Sequence, residues 1–355
     1  MVFKIFKPKR SYLGVDIGTV TLKLVEISPV RGRPYLKNYG YLETYGYLER
    51  LNNAIQTSSL KPLKKETART LRYLFEKANV KTSDVIASLP LFAAFTTLIE
   101  FPMMPESDLV KAIPLQCRRY IPLPISDVTI DWLKVGEREE RGIKKQQIFI
   151  ISMPNERIEI YRQIFKLAGL RLVALEIESL SLVRAAGIGS TPTMLIDIGG
   201  CVTNITIVDN GALKYSERTD LAGNSLTRAI ARGLGIDINR AENLKKRYGL
   251  LGGEEHRELS SLITPILDAI IKDVERTRNA YLKENLGRKP ERIILAGGGA
   301  KLLGISEYFE RKLGVPVKAE SFISKINYPK EVEPALKDLG SSLAVSIGLG
   351  LREFI

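Results

Sequence analysis

Asp16-Ile17-Gly18-Thr19 and, half a chain later, Asp197-Ile198-Gly199-Gly200 say nearly the same thing. The first is followed by Val20-Thr21-Leu22-Lys23-Leu24-Val25-Glu26-Ile27, the second by Val202-Thr203-Asn204-Ile205-Thr206-Ile207-Val208. Each is an apolar strand ending in an acid, a glycine turn and a second β-rich run. Each therefore predicts a β-hairpin whose tip can offer backbone N–H groups to an anion. A third cluster, Ala296-Gly297-Gly298-Gly299-Ala300, follows the strand-like Arg292-Ile293-Ile294-Leu295 and precedes a helical pattern from Ile305 to Leu313. Glycine there lets the backbone approach a ligand closely, because no Cβ stands in the way. One acid-glycine turn is ordinary surface chemistry. Two in matching contexts, with a late strand-glycine-helix, predict two halves gripping one polyphosphate.

Working outward, 355 residues exceed the size at which a single core keeps growing, so two lobes or more are expected. Hydrophobic residues at 45% and charged residues at 26% predict an ordered globular chain. No stretch reaches the roughly 18 apolar residues of a membrane span, and the first residues lack the pattern of a signal peptide, so the reading places the chain in the cytoplasm. Cys117 and Cys201 fall in different expected lobes, which argues against a disulfide framework. The single histidine, His256, argues against a histidine-rich metal site. The net charge of +13 is scattered, with no basic stripe interleaved with aromatics, so no nucleic acid is expected as a partner. Only Met1 to Arg10 concentrates it: Phe3, Ile5 and Phe6 alternate with Lys4, Lys7, Lys9 and Arg10. This reads as a solubilising leader (1–10) or as a contact with a membrane surface or partner.

Tyr12 to Asp16, Leu22 to Ile27 and Tyr35 to Leu42 read as consecutive strands, Ser59 to Asn79 as an amphipathic helix, and Val85 to Leu89 as a return to the sheet. From Leu91 the texture changes. Phe95 to Phe101, a helix opened by Glu106 to Asp108, Val128 to Val135, a charged loop Gly136 to Lys145, Gln146 to Ile151 and a helix Asn155 to Ala168 make a β-α-β-β-α insert over 91–166. Pro114 removes an N–H from the first of those helices, which is expected to kink or start late. The first sheet resumes at Leu172 to Ile177. The second half repeats the first: Asp209-Asn210-Gly211 signals a hairpin, and Gly223-Asn224-Ser225 starts a helix with Asn224 as its N-cap. Ile238 to Tyr248 and Ser260 to Glu284, ending near Gly287, read as helices, as does Glu333 to about Leu351.

The pattern resembles the actin/Hsp70/sugar-kinase superfamily and, within it, the PilM family of type IV pilus assembly proteins, relatives of the cell-division protein FtsA. Asp16 to Thr19 with Lys23 looks like the first phosphate motif, Asp197 to Gly200 like the second, and Gly297-Gly298-Gly299-Ala300 like the adenosine motif. Met104-Pro105-Glu106, Leu109, Ala112-Ile113, Tyr120-Ile121-Pro122-Leu123-Pro124 and Asp131-Trp132 look like the inserted subdomain of PilM and FtsA, and Glu176 to Ala185 also looks like PilM. The resemblance implies an α/β, actin/Hsp70-like two-lobed fold of duplicated ribonuclease-H-like domains with an FtsA-like insert. The first lobe is 11–90 and 167–192 with a C-terminal helix 333–355, and the second is 193–332. The chain stops soon after that helix without the polar tether and membrane helix of FtsA, which favours PilM.

In this fold two lobes close on ATP and Mg²⁺. Gly18, Thr19, Val20, Gly199, Gly200 and Thr203 are the expected phosphate contacts, and Lys23 a point charge towards the β- and γ-phosphates. Asp16 and Asp197 would hold Mg²⁺ through its waters. Glu242 and Lys245 share one helix face; the resemblance puts them on ribose and adenine opposite Gly297 to Gly299, and an exposed ion pair is the alternative. Gly223 and Asn224 are expected near the phosphates at a helix N-terminus. Glu178, with Glu176 as the alternative, looks like the residue that orients the hydrolytic water; a helix-capping carboxylate is the other reading. Nucleotide binding is expected, and turnover is left open. The implied function is a cytoplasmic ATP-binding scaffold at the inner-membrane face that binds the N-terminal peptide of a PilN-like membrane protein in a nucleotide-dependent way. Other pilus platform components and self-association come with that reading. An FtsA-like filament protein and a small-molecule kinase are the alternatives.

Overall fold

The computed structural model describes residues 10–44, 61–251, 257–284 and 288–354. Met1 to Lys9, His256, the start of the helix expected from Ser59 and the helix end expected at Gly287 lie outside the described residues.

Two sheets repeat one topology. The first contains β1 (Tyr12–Ile17), β2 (Thr21–Val30), β3 (Arg33–Glu43), β4 (Asp84–Leu89) and β8 (Arg171–Ile177), in the order β3-β2-β1-β4-β8. The second contains β9 (Thr193–Ile198), β10 (Thr203–Asp209), β11 (Ala212–Thr219), β12 (Arg292–Ala296) and the short β13 (Val317–Ala319), which sequence patterning missed, in the order β11-β10-β9-β12-β13. In each sheet the first three strands are antiparallel and the last two add in parallel. β1 and β4 are buried at every residue, which is why they read as apolar runs rather than alternations. The registers match as well: Asp16 pairs with Lys23 across β1 and β2, and Asp197 with Asn204 across β9 and β10.

Between β3 and β4 lies α1 (Lys61–Lys77), and before β8 lies α3 (Asn155–Leu167). The insert has its own sheet, β5 (Phe95–Pro102), β6 (Val128–Glu140) and β7 (Ile143–Pro154) in the order β5-β7-β6, covered by α2 (Glu106–Cys117). Ile99, Phe101, Leu109, Ile113 and Ile150 form its core. Three expectations change here. The charged run Gly136 to Lys145 is strand, closed by Arg141-Gly142 at φ +52° and +77°; those values suit a two-residue hairpin turn. Its charges hide the pattern because the outer part of this ribbon is largely exposed. α2 starts at Glu106 and runs through Pro114 to Cys117. The buried face of α3, Ile160, Tyr161, Ile164 and Phe165, packs into the core of the first sheet with Leu71 and Leu74 of α1, not into the insert.

The second half adds α5 (Gly223–Leu234), α6 (Ile238–Tyr248), α7 (Arg257–Glu284) and α8 (Ile305–Leu313). The single long C-terminal helix expected from Glu333 is two helices, α9 (Glu333–Leu339) and α10 (Ala344–Gly350). Together with α4 (Glu178–Ala186), these sit between the two sheets. Leu182, Ala185, Leu336, Leu343 and Ile347 join Val25 and Ile27 of one sheet to Leu195 and Ile294 of the other. α4 and α10 cross so closely that a Cβ on Gly348 would clash with the Ser181 carbonyl. The two hairpin tips meet between the lobes.

Candidate functional site

Both hairpin loops close with the same bond: Gly18 N–H donates to Thr21 O at 3.0 Å, and Gly199 N–H to Val202 O at 3.0 Å. Those two amides are therefore used inside the loops. Among the described residues, the tip amides of Thr19, Val20 and Gly200 make no main-chain hydrogen bond. The tips touch, with Cys201 N–H donating to Thr19 Oγ1 at 3.2 Å, and a Cβ on Gly200 would run into Val20. Thr203 is fully buried and its hydroxyl is spent within the protein, donating to Leu221 O at 2.7 Å.

Beneath the tips the acids converge. Asp16, buried at the end of β1, accepts from Lys23 Nζ at 2.8 Å and from Ser88 Oγ at 2.7 Å. Lys23 thus sits on Asp16 across the strand pair rather than projecting freely. Burial opposes its charge, but Asp16 and Asp197 outweigh that and hold its pKa above the ordinary lysine range. Burial pushes Asp197 up to about 6, with Lys23 opposing and Asp16 adding to the rise. Glu178, the first residue of α4, is raised well above the usual carboxylate range by burial and then by Asp16 and Asp197. It accepts from Asn204 Nδ2 at 2.9 Å and makes no cap, since no side chain caps that helix. Glu176 is committed elsewhere: its oxygens take Ser181 Oγ at 2.6 Å and Arg184 at 2.6 and 2.8 Å.

On the other side, α5 is capped at Ala222, not at Asn224. Gly223 N–H donates to Gly199 O at 3.0 Å and Asn224 N–H to Gly200 O at 2.7 Å, so the helix start holds the second loop in place. Glu242 and Lys245 point back to this start: Lys245 Nζ donates to Glu242 Oε2 at 2.6 Å and Gly223 O at 3.1 Å, and Thr227 Oγ1 donates to Glu242 Oε2 at 2.5 Å. The ion pair is present but largely buried rather than exposed. Gly297, at φ +78°, cannot carry a Cβ because Asp197 Oδ1 and the Ile198 carbonyl occupy that space, and Gly299 abuts the Ile198 side chain. These two glycines serve a close approach to the second loop. A Cβ on the exposed Gly298 would make only an ordinary contact, with Ser342 Oγ at 3.9 Å, and Ala300 is buried in the second core.

Sequence reasoning missed Ser88, Asn204, Thr227 and the contact between Lys246 and Glu43, which crosses from α6 to β3 at 3.0 and 3.3 Å. One signal was present: Lys23 and Asn204 occupy the same offset from the paired acids, Asp16 and Asp197. Asn204 Oδ1 is buried without a hydrogen-bond partner among the described residues. That fits a cation carrying waters, which supplies donors to carboxylates and amide alike. No group of three His, Cys, Asp or Glu side chains is placed for direct ligation among the described residues.

The family profile described as "Type IV pilus assembly protein PilM" matches residues 14–354. The fold superposes on a solved "PilM-PilN type IV pilus biogenesis complex" with a TM-score of 0.83 and 25% identity, over 98% of this chain and 100% of that one. MreB5 of Spiroplasma citri bound to AMPPNP aligns at a TM-score of 0.54 and 15% identity, over 96% of this chain and 95% of that one, a likeness of fold. The cell-division protein FtsA of Enterococcus faecalis is 24% identical over 352 residues, covering 86% of this chain and 78% of its own. The duplicated sheets, the insert and these likenesses together identify an actin-like chain that belongs to the PilM family of type IV pilus assembly proteins.

Proposed function

We propose that this chain binds ATP with Mg²⁺ in the cleft and, according to the nucleotide bound, captures the cytoplasmic N-terminal peptide of a PilN-like inner-membrane protein, which holds it at the membrane face. The convergence of Asp16, Asp197 and Glu178 beneath two abutting hairpin tips carries the nucleotide half. The likeness to a PilM-PilN complex carries the partner half. Bound Mg²⁺ would neutralise the charge of the phosphates and of the carboxylates around it. Thr19, Val20 and Gly200 offer amides to phosphate oxygens, and Lys23 adds a fixed positive charge. Asp16, Asp197 and Asn204 Oδ1 accept from the waters of the ion, and Gly223 and Asn224 hold the second loop. Glu178, protonated more readily than an ordinary carboxyl, is placed to orient water, which favours slow turnover over fast. Glu242 and Lys245, paired at 2.6 Å, would line the base side.

Thermal unfolding tests the first half: Mg-ATP at about a hundred times its Kd adds roughly 2.7 kcal/mol of stability. No shift in Tm at any concentration would end the nucleotide reading. The second half is tested by titrating a PilN N-terminal peptide against the chain with ATP, with ADP and alone. A ligand shifts lobe closure only through its differential affinity for the closed form, so equal peptide affinity in all arms would remove the coupling.

A further inference from the structure

The end of the first sheet remote from the cleft carries a row of cations that the nucleotide site does not use. β1 runs from Tyr12 at this end to Ile17 at the tips, and its neighbours begin or turn beside Tyr12. Arg10 precedes β1, Arg31 and Arg33 flank the β2–β3 turn, Lys81 leads into β4, Lys166 closes α3 and Arg171 opens β8. All six are exposed. Five strands set about 4.8 Å apart spread this row over roughly 20 Å. Acids at this end are few. Asp84 is buried and held by both Arg10, at 3.1 Å, and Arg171. Glu353 faces Arg10, and Glu159 lies 3.9 Å from Arg162.

Large aliphatic side chains lie among the cations: Val30 is 46% exposed, Leu167 45% and Val173 41%. They are spread along the end and line no shared pocket; the cavity here, of about 470 Å³, is lined by Ser83, Arg162, Lys166, Leu170 and Arg171 instead. Cations dispersed over a broad face with interspersed apolar side chains match a plane of anionic headgroups over an acyl boundary. Arg10, Arg31, Arg33 and Lys81 lie outside the cavity lined by Arg162, Lys166 and Arg171, and a row of roughly 20 Å exceeds the reach of one small anion. The chain also enters at this end, and the nine residues before Arg10 carry Lys4, Lys7 and Lys9 with Phe3, Ile5 and Phe6, the same composition.

We infer that this end of the first lobe rests directly on an anionic lipid bilayer, with the cations on headgroups and Val30, Leu167 and Val173 at the interface. The contact leaves the cleft free and does not depend on nucleotide or on the peptide partner.

The test is co-sedimentation of the full chain with vesicles of phosphatidylglycerol in phosphatidylcholine, against phosphatidylcholine alone, without nucleotide and at low and high salt. Binding to the anionic vesicles only, weakened by salt, is the expected result. At roughly fivefold per cation near the surface, Lys81→Ala with Lys166→Ala lowers the partition about 25-fold. Leu167→Ser lowers it further, and circular-dichroism melts of these exposed-site variants match the parent. Absence of binding overturns the proposal. So does equal binding by the Lys81/Lys166 variant, or a loss seen only when residues 2–9 are deleted, which would assign the contact to the leader alone. Full competition by soluble polyglutamate would reassign the face to an acidic protein and overturn it as well.

Discussion

Asp197 is where burial and like charge meet, and its titration has a definite sign. Its carboxyl rises from 3.8 to about 6 in the fold. Below that window it is protonated both folded and unfolded. Within the window the folded chain keeps a proton that the unfolded chain has released, so stability falls as pH rises. The loss is no more than about 3 kcal/mol, and less because Asp197 is only partly buried. Glu178 adds in the same direction. Melting the ligand-free chain across this range should show the decline, and Asp197→Asn should flatten it, raise ligand-free stability near neutral pH and abolish stabilisation by Mg-ATP. A variant with the parent's pH slope would show that Asp197 is not the strained group. Gly297 is the other decisive residue. Gly297→Ala forces an unfavourable φ of +78° and a clash with Asp197 Oδ1, at a cost of at least about 2 kcal/mol in urea unfolding.

At the scale of elements, the insert leans on the second lobe. Val135 and Phe149 of the insert pack with Ile177 and with Leu213 of β11. Beside them the buried Lys214 donates to Val135 O at 2.5 Å and Gln147 Oε1 at 3.1 Å. Burial pulls Lys214 below its ordinary pKa, with Asp209 opposing, so its hydrogen bonds keep an otherwise unfavourable charge in place. Lys214→Met keeps the apolar stem and leaves both acceptors unpaired, which should cost about 1–3 kcal/mol. Hydrogen exchange should quicken around Val135 and Gln147 while β1 and β4 keep their protection. Unchanged exchange there would mean that the apolar contacts alone hold the insert. Patterning along the chain read the strands of this insert where they alternate and failed along the exposed ribbon, where both faces meet water.

Over the whole molecule, Lys246 of α6 and Glu43 of β3 close the mouth of the cleft, and Lys246 also lies 3.6 Å from Glu242. The pair joins the base-side helix to the edge of the first sheet, so lobe opening must break it. Lys246 is half exposed, and such a pair contributes about 0.2–1 kcal/mol. Lys246→Glu, which places like charges at the mouth, should move the balance of open and closed forms by about fivefold for each kcal/mol. Small-angle scattering should record a larger radius for the variant without ligand and recovery of the parent value with saturating Mg-ATP. An identical radius in both would show that closure rests on the helices between the sheets instead.

Sequence alone determined the duplication, because Asp16 to Ile27 and Asp197 to Val208 repeat strand, acid, glycine and strand, and each half must bury its own apolar run. It also marked the acids and Lys23, whose spacing within one hairpin is fixed by register. Tertiary structure decided the rest. Thr203 turned inward and Gly223 and Asn224 spent their amides on the second loop, because hydrogen-bond partners there come from 18 or more residues away. Gly297 and Gly299 proved to be spacers against Asp197 and Ile198, a contact between β12 and β9 that no local pattern encodes. Glu178 was separated from Glu176 only by the neighbours each met: Asn204 of the second sheet for one, Arg184 of α4 for the other.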